Sequence, residues 1–198
     1  FFYVLDRATG EFLLGKPFTA TTWAREIGAD GRPIVLNEDG SDGCLPDAWG
    51  GTNFNPPSYD PRLRLFFVSA RETCASFHPQ TPVFTLGQNT AGGVVWADRD
   101  KAFGALRAID VMTGAMKWGF RYPQSNLAGV MSTAAGLVFS GDQEGNFIAF
   151  DSATGKELWH YQTGTSIWGA AAMTYMLDGR QQVLIASGSV LFAFALPN

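Results

Sequence analysis

Short apolar runs alternate with polar, glycine-bearing corners along most of this chain, and three of those corners share one spelling. Tyr3-Val4-Leu5, Leu106-Arg107-Ala108-Ile109 and Phe147-Ile148-Ala149-Phe150 read as strands. They run into Asp6-Arg7-Ala8-Thr9-Gly10, Asp110-Val111-Met112-Thr113-Gly114 and Asp151-Ser152-Ala153-Thr154-Gly155, each of the form D-x-x-T-G. An opening Asp accepts backbone N–H bonds, and a closing Gly tolerates the left-handed geometry that turns the next strand back. In the second and third copies a Trp stands four residues past the Gly, at Trp118 and Trp159. Such an indole wedges between neighbouring sheets while its N–H reaches a backbone carbonyl. Asp110 and Asp151 are 41 residues apart, the period of a propeller blade.

The pattern between the corners predicts an all-β chain. Residues 1–14 read as a hairpin. Residues 15–48 read as a long connection punctuated by Gly28, Gly31, Pro33, Gly40, Gly43 and Pro46; in it Ile34-Val35-Leu36 is extended and Trp23-Ala24-Arg25-Glu26-Ile27 fits one helical turn at most. Pro56-Pro57-Ser58-Tyr59 is extended, Asp60-Pro61-Arg62-Leu63 turns, and Leu65-Phe66-Phe67-Val68-Ser69 is a buried strand. Residues 71–100 read as irregular; beyond them strands recur to Phe194. With roughly 40–45 residues per blade, the chain holds about four blades of a β-propeller. The 104 residues from Asp6 to Asp110 would fit two of them plus loop. Phe1 to Leu5 begins inside a strand, which suits a piece of a longer propeller.

Composition narrows the function classes. Charged residues are 16% and aromatics 14%, with a formal net charge of -4, as stacked and mostly buried sheets require. The basic residues are scattered singly, so nucleic acid is a poor partner. No apolar run approaches the roughly 18 residues of a membrane span. Cys44 and Cys74 lie in polar stretches, where exported proteins place structural disulfides; two free thiols are the alternative.

Little is arranged for catalysis. His78 and His160 have no metal-ligand spacing, and no nucleophile elbow is present. Gly92-Gly93 and Gly50-Gly51 precede no βα unit, which excludes a dinucleotide fingerprint. The unusual stretch is Trp49-Gly50-Gly51-Thr52-Asn53-Phe54-Asn55-Pro56-Pro57. Its glycines let backbone approach something closely, and Asn53 offers donor and acceptor to a planar, oxygen-rich ligand. Asn53 serves equally well as a turn cap.

At these residues the chain resembles the quinoprotein alcohol dehydrogenases. The resemblance rests on Phe1-Phe2-Tyr3-Val4-Leu5-Asp6-Arg7-Ala8-Thr9-Gly10, on Gly50-Gly51-Thr52-Asn53-Phe54 through Pro57-Ser58-Tyr59, and on Met131-Ser132-Thr133-Ala134-Ala135-Gly136-Leu137-Val138-Phe139-Ser140-Gly141-Asp142. Phe150-Asp151-Ser152-Ala153-Thr154-Gly155-Lys156-Glu157-Leu158-Trp159 completes it. The resemblance implies that residues 1–198 are the C-terminal portion of a single eight-bladed propeller domain that binds pyrroloquinoline quinone (PQQ) beside calcium. It implies a periplasmic enzyme that oxidises a primary alcohol or related polyol and passes electrons to cytochrome c or another acceptor. Hydride would go to the quinone C5 carbonyl, with an Asp as base and calcium as Lewis acid.

In that family the catalytic Asp and the calcium ligands belong to blades that precede Phe1. No catalytic or metal-ligating residue is therefore assigned here, and the chain alone is expected to be inactive without its N-terminal blades. Asn53 matches an asparagine that bonds the quinone rim; Gly188 and Ser189 fall where the cofactor chamber closes. Two departures stand out: Leu127 precedes Ala128-Gly129 where family members often have Trp, and Gly188-Ser189-Val190 stands where several carry Gly-Gly-Trp. Both remove aromatic cover from the cofactor wall and keep a second reading open, a cofactor-free propeller for binding or outer-membrane assembly. Cys44 and Cys74 are not the adjacent pair that forms the family's disulfide ring; paired, they would tie the loop before Asn53 to the strand leaving Ser69.

Overall fold

A computed structural model describes residues 1–36, 44–88 and 92–196; Gly40 and Gly43 of the long connection lie outside it. The strands form separate antiparallel sheets in chain order. β1 (Phe2–Leu5) and β2 (Phe12–Lys16) flank the first corner, and β3 (Ala24–Ile27) pairs with β4 (Pro33–Val35). A four-stranded sheet follows: β5 (Ser58–Asp60), β6 (Leu65–Pro79), β7 (Gly93–Asp110) and β8 (Met116–Tyr122). A second comprises β9 (Met131–Ser132), β10 (Leu137–Gly141), β11 (Asn146–Asp151) and β12 (Glu157–Gln162). The last three strands are β13 (Met173–Leu177), β14 (Arg180–Ser187) and β15 (Val190–Ala195). The all-β propeller expectation holds, with two complete four-stranded blades, two two-stranded pairs before them and a three-stranded sheet after them.

Two local expectations are corrected. Residues 71–79 and 93–100 are not irregular: β6 and β7 pair from Leu65↔Asp110 to Pro79↔Gly93, interrupted by a bulge between Glu72 and Cys74, and the expectation holds only for the described residues between the two strands. The prolines and glycines that suggested a loop gather at or beyond the far end of this hairpin, where the ladder needs no donor. That extension, together with the β3–β4 pair and the connection before β5, takes up the interval from Asp6 to Asp110, which holds three strands of one four-stranded blade and not two blades. Trp23 to Ile27 likewise yields a strand, β3, whose irregular register opposite β4 was not visible in composition.

The repeated corners are built as their residues dictate. Oδ1 of Asp6 accepts the N–H groups of Ala8 and Thr9 at 2.9 and 2.8 Å, and Asp151 does the same for Ala153 and Thr154 at 3.1 and 2.8 Å. Gly10, Gly114 and Gly155 take φ of 76, 70 and 72°, the left-handed region that favours glycine.

Sheets stack face to face. Leu65, Phe67, Leu106, Val138, Ile148 and Phe150 fill the seam between the two complete blades, closed by Trp118. Phe139, Phe147, Ile167 and Ile185 fill the next seam. Trp159 meets Phe194 there edge to face, at 5.2 Å between ring centroids.

Strand alternation decides where function is placed. In each blade the first and third strands point one way and the second and fourth the other. The D-x-x-T-G corners, joining third to fourth strands, therefore share one end of the molecule. Loops 44–57, 123–130 and 163–172, which lead into first strands, gather at the other, with the hairpin turns joining second to third strands.

Candidate functional site

At that second end the three incoming loops knit together. Val130 N–H donates to the Pro56 carbonyl at 2.8 Å, Gly129 N–H to Ala170 at 2.8 Å and Gly169 N–H to Leu127 at 2.9 Å. The Leu127 carbonyl also accepts the buried amide of Asn55. A side chain at position 129 would place its Cβ 2.7 Å from Ala171 Cβ and 2.9 Å from Pro56 Cδ, so only glycine fits where the loops meet. The first strands touch beneath: Ser58 and Ser132 share a hydroxyl hydrogen bond at 2.6 Å.

Asn53 sits at the turn of the first loop and is exposed. Its Nδ2 donates to the Trp49 carbonyl at 2.9 Å and its Oδ1 accepts the Phe54 N–H at 2.8 Å. The turn-cap reading is thus realised, yet one Nδ2 hydrogen and one Oδ1 lone pair remain for a ligand. Gly50 takes φ 79°, and a Cβ at Gly51 would meet Thr19 Oγ1 at 2.5 Å. The close approach foreseen for these glycines is to the chain itself, to the Thr52 carbonyl at Gly50 and to Thr19 at Gly51.

Asn53, Thr52 and Asn55 line a slot of about 400 Å³ against Phe1, Phe2 and Phe66. Thr52 Oγ1 is itself buried, out of reach of solvent, without a hydrogen-bond partner among the described residues. The exposed Asn53 amide, with a donor and an acceptor to spare, suits an oxygen on the rim of a quinone such as PQQ.

A second cavity, about 560 Å³, opens beside the first loop. Leu127 lines it together with Trp49, Trp168 and Arg71. Two indoles, those of Trp49 and Trp168, thus share with Leu127 the lining of this second cavity. Gly188, with φ 55°, and Ser189 form the β14–β15 turn at the same end; Gly188 N–H donates to Ser166 O at 3.2 Å. Neither residue lines either cavity.

The residues that sequence reading missed are Arg71 and Asp47. Arg71 Nη1 and Nη2 donate to the two Asp47 carboxylate oxygens at 2.9 Å each, and Nε donates to Ser125 Oγ at 2.8 Å. The available signal was a charged pair, Arg71-Glu72, within an apolar strand run. Glu72 is also used, accepting from Arg107 at 2.6 Å and from Ala20 N–H at 3.1 Å. Cys44 and Cys74 are bonded, as their placement in polar stretches suggested, and the alternative of two free thiols falls. His78 stacks on Trp96 at 4.1 Å, and exposed His160 bonds Glu157 at 2.7 Å. Among the described residues no cluster of three or more His, Cys, Asp or Glu is suited to a metal, and no helix is long and apolar enough to cross a membrane.

Stacked four-stranded antiparallel sheets, with incoming loops knitted at one end, define a β-propeller segment. The PQQ family model, the beta-propeller domain of glucose, ethanol and alcohol dehydrogenases, matches residues 123–183. Quinohemoprotein alcohol dehydrogenase of Comamonas testosteroni is 33% identical over 95% of this chain and 29% of its own length. Lanthanide-dependent methanol dehydrogenase of Methylorubrum extorquens is 33% identical over 95% of this chain and 34% of its own. A europium-containing methanol dehydrogenase structure superposes with a TM-score of 0.84 at 30% identity, covering 94% of this chain and 34% of that one. The chain is thus related in sequence and in fold to the propeller domains of PQQ-dependent quinoprotein alcohol dehydrogenases. It spans about a third of the length of these relatives.

Proposed function

We propose that this chain is the C-terminal portion of a single PQQ-binding propeller domain and supplies one side of the cofactor chamber of a periplasmic dehydrogenase. The substrate is a primary alcohol or related polyol, and cytochrome c or a similar carrier takes the electrons. The observation that carries this reading is the knitted loop end, where Asn53 presents unused polar capacity at a slot in a fold related to quinoprotein dehydrogenases. Bound PQQ, with calcium as Lewis acid, would supply the hydride acceptor. This chain's own part is binding and orientation. The Asn53 amide would donate to a quinone oxygen, and the loop ring around Gly129 would hold it in place. Gly188 and Ser189 close the chamber from the β14–β15 turn. The base and the calcium ligands belong to polypeptide outside this chain.

The test uses the complete polypeptide with added PQQ and calcium. Alcohol-dependent dye reduction is expected, and none from residues 1–198 alone. Absence of both PQQ uptake and turnover across primary alcohols and polyols overturns the proposal.

A further inference from the structure

We infer that Arg71 is a positioning residue for Asn53, an inference that rests on the cofactor role proposed above. The guanidinium does not reach the slot that Asn53 lines; it acts through the loop. Arg71 N–H donates to the Gly51 carbonyl at 2.8 Å, and its side chain forks onto both oxygens of Asp47. Asp47 Oδ1 accepts the Trp49 N–H at 3.0 Å, and Asp47 O accepts the Gly50 N–H at 2.8 Å. Trp49 O in turn accepts the Asn53 amide at 2.9 Å. The guanidinium carbon also lies 5.9 Å from the Trp49 ring centroid, a cation–π contact that holds the ring as the hydrogen bonds hold its backbone. Every link from Arg71 to Asn53 is therefore a direct contact.

Attachment of the loop does not require this chain of contacts. The Cys44–Cys74 bond and the Ala75 N–H to Cys44 O bond at 3.0 Å already fasten the loop to β6. What the Arg71 fork adds is direction. Its side chain is 9% exposed and that of Asp47 3%, so the pair is shielded from solvent and held in one geometry. The Nε bond to Ser125 refers that geometry to the next blade's incoming loop. A planar fork does this where an ammonium, a point charge on a flexible stem, does not.

The experiment titrates PQQ into the complete apo-polypeptide, followed by tryptophan quenching, with the melting of each apo-protein recorded alongside. The variants are Arg71→Met, Arg71→Lys, Asn53→Ala and the double variant Arg71→Met/Asn53→Ala. Arg71→Met should weaken PQQ binding about tenfold or more, with Arg71→Lys intermediate. Both losses should vanish in the Asn53→Ala background, because residues acting through one contact are not additive. Additive losses, or unchanged affinity for Arg71→Met, overturn the inference. If Asn53→Ala itself binds PQQ normally, the proposed role of Asn53 falls and this inference with it; normal binding by Arg71→Met alone sinks only the inference. Should Arg71→Met not fold, Arg71→Lys carries the same comparison in both backgrounds.

Discussion

The indole of Trp118 lies on Gly155 of the next blade's corner. Its Nε1 donates to the Ser152 carbonyl at 3.0 Å, and a Cβ at position 155 would stand 2.5 Å from Cδ2 of the ring. Leu14 holds the same offset after Gly10, and at Gly114 a Cβ would meet Lys16 Cγ at 2.5 Å and Leu14 Cδ1 at 3.3 Å. The corner glycine thus serves two needs: a left-handed φ, and room for the previous blade.

Gly155→Ala should destabilise the complete protein by roughly 1–3 kcal/mol, since both the φ of 72° and the indole contact oppose a side chain. Gly164→Ala, at φ 85° with nothing within 4 Å of its Cβ, isolates the backbone cost alone and should lose less. Chemical denaturation of both variants checks the difference; equal losses would remove the stacking role of Gly155.

Acid should expose the corner carboxylates. The Thr9 N–H holds the Asp6 carboxyl below the usual carboxylate range, and the Thr154 hydroxyl does the same for Asp151. Because their folded values are depressed, the unfolded chain binds more protons once the pH falls to the ordinary Asp range near ~4. Their contribution is complete above that range and is lost as pH falls through the folded values. Asp151→Asn keeps an acceptor but cannot titrate. Its stability deficit at pH 7 should therefore shrink steadily as melting curves are recorded into acid, and a deficit independent of pH would refute the assignment.

Removal of the Cys44–Cys74 bond by double Ser substitution should cost about 2–4 kcal/mol, from freeing a loop closed across 30 residues. Reductant should lower the wild-type melting temperature by a matching amount and leave the double variant unchanged. A reductant effect on both would point to some other thiol chemistry.

If the proposed function holds, chelation of the complete polypeptide should abolish alcohol-dependent dye reduction, and calcium should restore it. Two relatives are described as lanthanide-dependent methanol dehydrogenases, which makes the choice of ion a sharp measurement. Metal content by mass spectrometry, read beside recovery with calcium or with lanthanum, settles it; recovery with lanthanum alone would replace calcium in the proposal.

The corners and blade period were legible because each rests on local chemistry: an Asp, a Gly and a Trp at fixed offsets. The β6–β7 extension was not, since its prolines and glycines look the same at a hairpin tip as in a loop. Asn53 was legible as a residue with two possible roles, and its cap bonds to Trp49 O and Phe54 N–H show one of them in place. Arg71 and Asp47 escaped notice because their partnership spans 24 residues and no short pattern announces it. Likewise Trp168 joins Leu127 at one cavity only after two loops are brought together by folding.

The contact between Trp118 and Gly155 is also directional. One blade presents the indole and the next presents the corner, so the two faces of a seam are unlike and the contact is heterologous. Repetition of such a contact has only two geometric outcomes, a closed ring or an open helical array. The angle between successive blades selects between them, and the corner glycine helps set that angle. A bulky residue there would act on the curvature of the whole assembly, with effects on the opposite side of a ring that no single seam would reveal.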